Sequence, residues 1–209
     1  MTKKKNLDKL FNFLKIAGQL KNTLRFTEID FSGRRESSAD HSWRLALMTF
    51  MVAEELSLEI NIEKAVRIAL VHDLAESLTG DIDALLIARG DISAEEKDAN
   101  ELKAMLRIKK SLPDNLAGEI FALWEEYEDG KTEEARFVKA LDKLETMTQL
   151  VELGYKVYDA PDFIPTYADK HVENFPALAP LLKTVKRNLK REYSKGGLEW
   201  REEYDRFLK

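Results

Sequence analysis

The sequence predicts an all-α fold, a single helical bundle, and three features carry that expectation. Apolar residues recur at helical spacing along nearly the whole chain. Only 9 Gly and 5 Pro interrupt 209 residues that are 34% charged and 44% hydrophobic, a balance suited to long amphipathic helices. Helix-start residues also stand ahead of the apolar runs, and turn residues follow them.

Each element follows from these signals. Leu7, Leu10, Phe11, Leu14, Ala17 and Leu24 form the stripe of a first helix ending between Lys21 and Arg25, and "RFTEIDFSGRRES" is expected to be a polar loop. Ser37 or Ser38 caps a second helix, whose buried side is Leu45, Met48, Val52 and Leu56. Asn61 caps a third that carries Ile62, Ala65, Val66, Ile68, Ala69 and Leu70 and runs to just before Gly80; its apolar face is broad enough for an enclosed position.

Ser93, with Glu95 and Glu96 in the first turn, opens a fourth helix. Pro113 starts a fifth that stops at the turn pair Asp129-Gly130. Thr132 caps a long sixth, with Phe137, Ala140, Leu141, Leu144, Met147, Thr148 and Val151 inward and Gly154 just past its end. "YKVYDAPDFIPTY", with two prolines and several aromatics, reads as a loop or broken helix covering something, and two further helices finish the chain. No internal repeat or linker-like segment divides it.

Composition narrows the function classes. The chain has no cysteine, which excludes disulfides, thiolate metal sites and thiol nucleophiles and fits a cytoplasmic protein. The basic start is broken by Asp8, Lys9 and Lys15, so no export signal is read, and no apolar run approaches the roughly 20 residues of a membrane span. A net charge of -5 argues against nucleic acid as a partner. Lys183, Lys186, Arg187, Lys190 and Arg191, opposite Leu182, Val185 and Leu189, read as the solvated face of one helix.

The chemistry is expected around "ALVHDLAESLTGD", where His72, Asp73, Glu76 and Asp81 interrupt apolar helix. An unpaired buried charge costs several kcal/mol, on the order of 3 or more. Histidine is scarce, at 3 residues, and His41 and His72 each have a carboxylate adjacent in sequence, Asp40 and Asp73. A lone histidine on an apolar helix is ordinarily a hydrogen-bonded core residue, but the group is harder to explain that way. Asp142 breaks the stripe of the sixth helix between Leu141 and Leu144. His41, His72, Asp73 and Asp142 together offer two imidazoles and two carboxylates, a mixed N and O set suited to a divalent cation such as Mn, Fe, Co, Ni or Zn. Trp43, Trp124 and Tyr127 are assigned to core packing, and His171 to solvent or a partner helix.

"ESSADHSWRLALM", "IALVHDLAESLTGDI" and "FVKALDKLE" resemble, in order, the motifs of the HD-domain metal-dependent phosphohydrolases, in the branch of 5'-deoxynucleotidases acting on nucleoside monophosphates. The likeness runs from about Leu14 to Leu153, includes "EEKDANE" and "LWEEYE", and weakens in the last third.

The resemblance implies one HD-type domain over 1–209, with a motif-bearing core at about 14–153 and helices of about 160–209 completing or covering it. It places His41, His72, Asp73 and Asp142 around one divalent cation, Mg being added to the metals above. Glu76 falls on the residue that orients or deprotonates water, and Asp81 on a carboxylate close to the nucleotide. Glu76 is four positions from His72, on one face of a helix that continues through both. Arg25 matches the family's substrate arginine, and Phe26 stands where a tryptophan follows it in better-studied members, which leaves base and sugar preference open. A homodimer is implied as well. Two other readings of the same pocket are a nucleotide-sensing module without turnover and a two-iron oxygenase, which would call for additional histidine ligands.

Overall fold

The computed structural model describes residues 3–208, and helix takes up most of that length. Helix α1 (Lys3–Ala17) runs into a 3-10 turn and then a two-stranded antiparallel hairpin, β1 (Leu24–Glu28) and β2 (Arg35–Ser37), with Leu24 opposite Ser37 and Glu28 opposite Arg35. Next come α2 (Ser38–Glu55), α3 (Ile62–Val71), the short α4 (Glu76–Thr79) and α5 (Ala84–Ala88), then α6 (Ala94–Ser111), α7 (Asp114–Asp129) and α8 (Glu133–Leu153). Two 3-10 turns lead to α9 (Asp169–Asn174), and α10 (Ala179–Gly196) precedes a last 3-10 turn.

The helix starts follow the expected chemistry. Ser37 and Asp40 form a reciprocal capping box at α2, and the side chains of Asn61, Ser93 and Thr132 accept from the backbone N–H three residues on. Gly130 closes α7 at φ 60°, a left-handed conformation that a side chain would resist. Helix α8 is the axis of the fold. Phe137, Val138, Leu141, Leu144 and Met147 on it are fully enclosed, and it packs against α2, α3, α7 and α10. Among the described residues, no helix is long and apolar enough to cross a membrane.

Five expectations need correction. The segment expected as a polar loop forms the hairpin, and Leu24 belongs to β1 rather than to the first helix. Its alternation is inverted: Arg25 and Thr27 point inward while Leu24 and Phe26 are exposed, so hydrophobicity did not mark a strand. On α1, Leu7, Phe11 and Leu14 are exposed, and Phe13 and Ile16 pack on the core instead; apolar residues surround this helix, so the stripe was ambiguous.

The third helix does not run to Gly80. After Val71 the backbone changes to Leu74 N–H donating to Val71 and Glu76 N–H to Asp73, both at 3.0 Å, so a tight turn separates α3 from α4. Trp43 is 65% exposed rather than core. Lys186 has no exposed surface at all: its ammonium donates to Asp169 at 2.8 Å and to the carbonyls of Tyr204 and Arg206. Arg187 and Arg191 do face solvent.

Candidate metal centre

The elements converge on one point. His41 comes from the first turn of α2, His72 and Asp73 from the turn that ends α3, and Asp142 from the middle of α8. His72 Nε2 lies 3.1 Å from Asp73 Oδ1, while His41 Nε2 lies 3.9 Å from Asp73 Oδ2 and 3.1 Å from Asp142 Oδ1. Ligand atoms of His41, His72 and Asp73 all fall within 4.8 Å of one another, and Asp142 joins them through His41.

Three atoms of this cluster, His41 Nε2, His72 Nε2 and Asp73 Oδ2, are buried without a hydrogen-bond partner. Such groups are rare in folded proteins because each one forfeits its hydration. Here three of them face the same small volume, and two are aromatic nitrogens. A divalent cation fits this donor set and would satisfy all of it.

The far side of each ring is tied down. His72 Nδ1 is 2.8 Å from the carbonyl of Ala69, and His41 Nδ1 is 2.5 Å from Glu145 Oε2. Glu145 also accepts from Arg44 Nε at 2.5 Å. Asp142 Oδ2 accepts from Tyr127 Oη and from Lys143 Nζ, each at 2.8 Å. A second group, Glu36, His41 and Glu145, is close enough to hold an ion, yet Arg25 pairs with Glu36, Arg44 with Glu145, and His41 Nδ1 is bonded. Its atoms already have partners, which disfavours a two-metal arrangement.

Except for His41, enclosed behind them, the expected site residues line one cavity of about 260 Å³: Arg25, Phe26, His72, Asp73, Glu76, Asp81 and Asp142. Arg25 is buried; its Nε donates to Glu36 at 3.1 Å, one terminal nitrogen donates to Thr146 at 3.3 Å and the other lies 3.6 Å from Asp73. Glu76 is also buried and accepts from Ser38 Oγ at 2.6 Å. Phe26, 42% exposed, stands at the rim and is shared with a smaller, mainly apolar pocket lined by Leu150, Val157, Phe163, Ile164 and Tyr167. The proline-rich stretch after α8 thus covers a pocket wall.

Charge is unevenly balanced here. Burial, then Asp73 and Asp81, push Glu76 up to about 10, so its carboxyl keeps a proton at neutral pH. Burial and Arg25 work against protonation of His41, but Glu145 and Asp142 outweigh them and raise the ring to about 10. Burial acts against ionisation of Asp73 and Asp142, and neighbouring cationic groups still hold both below the usual carboxylate range. His171 is half-buried on α9, where burial and then Lys143 push it down to about 4.

Glu145, Glu36 and Lys143 were not singled out in the sequence, and Ser38 and Tyr127 were read only as a cap candidate and a core residue. Glu145 had a usable signal, a second carboxylate three residues beyond Asp142 on the same face of an apolar helix.

A family model described as HD domain matches residues 17–170. The human 5'-deoxynucleotidase HDDC2 is 37% identical over 180 residues, which cover 84% of this chain and 84% of the human protein. The 5'-deoxynucleotidase hdd1 of Schizosaccharomyces pombe is 38% identical over 178 residues, 82% of this chain and 83% of the yeast protein. Among solved structures, one from Magnetospirillum magnetotacticum, described as a predicted metal-dependent phosphohydrolase, superposes with a TM-score of 0.74 at 28% identity, covering 93% of this chain and 99% of that one.

Proposed function

The chain belongs to the HD-domain family, and from that premise we propose that it is a divalent-metal-dependent phosphomonoesterase that hydrolyses nucleoside 5'-monophosphates, deoxyribonucleotides above all, to nucleoside and phosphate. The observation that carries this reading is the set of three buried ligand atoms that make no hydrogen bond and face one point at the floor of a polar cavity.

In this reading His41 Nε2, His72 Nε2, Asp73 and Asp142 hold the cation. When bound, such an ion supplies Lewis acidity to a phosphoryl oxygen and lowers the pKa of water. Glu76 takes the proton from the attacking water. Positive charge beside Asp73 would offset the burial and the repulsion from Asp73 and Asp81 that keep Glu76 protonated, and the Ser38 hydroxyl holds the carboxyl in place. That proton is then available to the departing 5'-oxygen.

Arg25, clamped by Glu36 and Thr146, supplies fixed positive charge to the phosphoryl oxygens with no reorganisation. Asp81 lines the cavity and in this reading meets the nucleotide there, while the apolar pocket beyond Phe26 and Tyr167 takes the nucleoside end. Cytoplasmic residence and a homodimer belong to the same reading and rest on the family resemblance and the cysteine-free composition.

Phosphate release from a panel of nucleoside monophosphates, each with Mn, Co, Mg and Zn, tests the reaction class and the selectivity together. Metal-dependent release of one phosphate per nucleotide is expected. Tight binding of a nucleotide without release under any metal would contradict hydrolysis and identify a sensing module.

A further inference from the structure

The cavity is lined by Arg25, Lys97, Lys139 and Lys143, and the state of each cation differs. Arg25 is committed to Glu36 and Asp73, Lys97 to Glu101 at 2.6 Å, and Lys143 to Asp142 at 2.8 Å. Lys139 is the exception among the described residues lining the cavity. Its ammonium makes no hydrogen bond or ion pair with a protein group, and it lies 4.2 Å from the centre of the Tyr127 ring.

This lysine is nevertheless held in place. Its stem runs over Gly130, where a Cβ would stand 3.3 Å from both Cδ and Cε, and Tyr127 is itself fixed by its hydrogen bond to Asp142. The ammonium is therefore positioned from below by an aromatic face and from the side by bare backbone, without a counter-charge in contact. Burial, reinforced by Lys143, pushes its pKa down although Glu128 and Asp142 attract it, as expected of a cation lacking a direct partner.

We infer that Lys139 is a substrate-binding residue, the cation that receives the phosphate of a phosphomonoester dianion from the side of the cavity formed by α7 and α8. This assignment rests on reading the cavity as a phosphomonoester site. It also divides the work. Arg25, already paired, sets the field at the reacting centre, whereas Lys139 gains a contact only when the anion arrives.

The test uses inorganic phosphate as the probe, titrated calorimetrically into the Mn-loaded full chain. Lys139→Met keeps the stem on Gly130 and Tyr127 and removes the charge; Lys139→Arg keeps the charge. Charge-assisted hydrogen bonds of this kind correspond to roughly ten- to hundredfold in affinity, so Lys139→Met should weaken phosphate binding by about tenfold or more. Metal content and melting temperature should stay unchanged, and Lys139→Arg should bind more tightly than Lys139→Met. In turnover, KM should rise more than kcat falls.

Phosphate affinity within about twofold of the original in Lys139→Met, or equal weakness in the Met and Arg variants, overturns the assignment. The two readings separate: Lys139-dependent phosphate binding in a protein that never cleaves nucleotides would defeat the hydrolase and leave this role intact. Full nucleotidase activity with unaltered phosphate binding in Lys139→Met would do the reverse.

Discussion

Nδ1 of His41 sits 2.5 Å from Oε2 of Glu145, both side chains fully enclosed and drawn from helices α2 and α8. The contact places the ring proton on Nδ1 and leaves Nε2 to face Asp73 and Asp142. Replacing Glu145 with Gln removes the charge that orients and enriches this ring, and metal affinity should fall about 10- to 100-fold. Competition with a chromogenic chelator measures it; an unaltered affinity would show that the carboxylate has no hold on the metal site.

Glu76 and Asp142 line the same cavity with different duties. Glu76→Gln should keep a full complement of metal while kcat drops about 10²- to 10⁴-fold, the range for a positioned proton acceptor. Asp142→Asn should lose metal and activity together. Metal analysis beside phosphate release on the two proteins separates the roles, and a fully active Glu76→Gln would remove the one given to that residue.

Metal uptake should release protons. In the free protein His41, raised to about 10 by Glu145 and Asp142 against burial, carries a second proton, on Nε2, at neutral pH, and that nitrogen ligates only after losing it. Raising the pH removes that competitor, so affinity should increase by up to about tenfold per pH unit below the His41 value and level off above it. Calorimetry in buffers of different ionisation enthalpy counts the protons directly. A pH-independent affinity between 6 and 9, roughly, would mean that the ring is already neutral.

How far the sequence told all this depends on where each residue finds its partner. Ser93, Asn61 and Thr132 cap helices through neighbours three residues away, and those helix starts were readable. Asp142 stood out because a carboxylate among Phe137, Leu141 and Leu144 has no local excuse. Arg25 and Thr27 gave no such contrast: they turn inward because Glu36, on the opposing strand, satisfies both. The periodicity of a strand was hidden behind polar residues. The kink at His72–Ala75 was equally hidden, since Leu70, Leu74 and Leu78 keep helical spacing across it and no glycine or proline marks it.

Lys186 is the clearest case of a tertiary partner overriding a local pattern, and it supplies a stability prediction. With no surface exposed, its ammonium is balanced by Asp169 and by two carbonyls near the end of the described chain. Lys186→Met strands Asp169 as an unpaired buried charge and should cost about 3–5 kcal/mol in denaturant unfolding. Adding Asp169→Asn should return a large part of that loss. A single substitution within about 0.5 kcal/mol of the parent would place the lysine at the surface after all.

In the proposed site four side chains grip one ion, and anomalous scattering from crystals grown with Mn reads that most directly. A single strong peak is expected among His41 Nε2, His72 Nε2, Asp73 and Asp142, at a metal-to-protein ratio near one. Absence of a peak there in a protein that still releases phosphate from nucleotides, or a peak seated elsewhere in the fold, would contradict it.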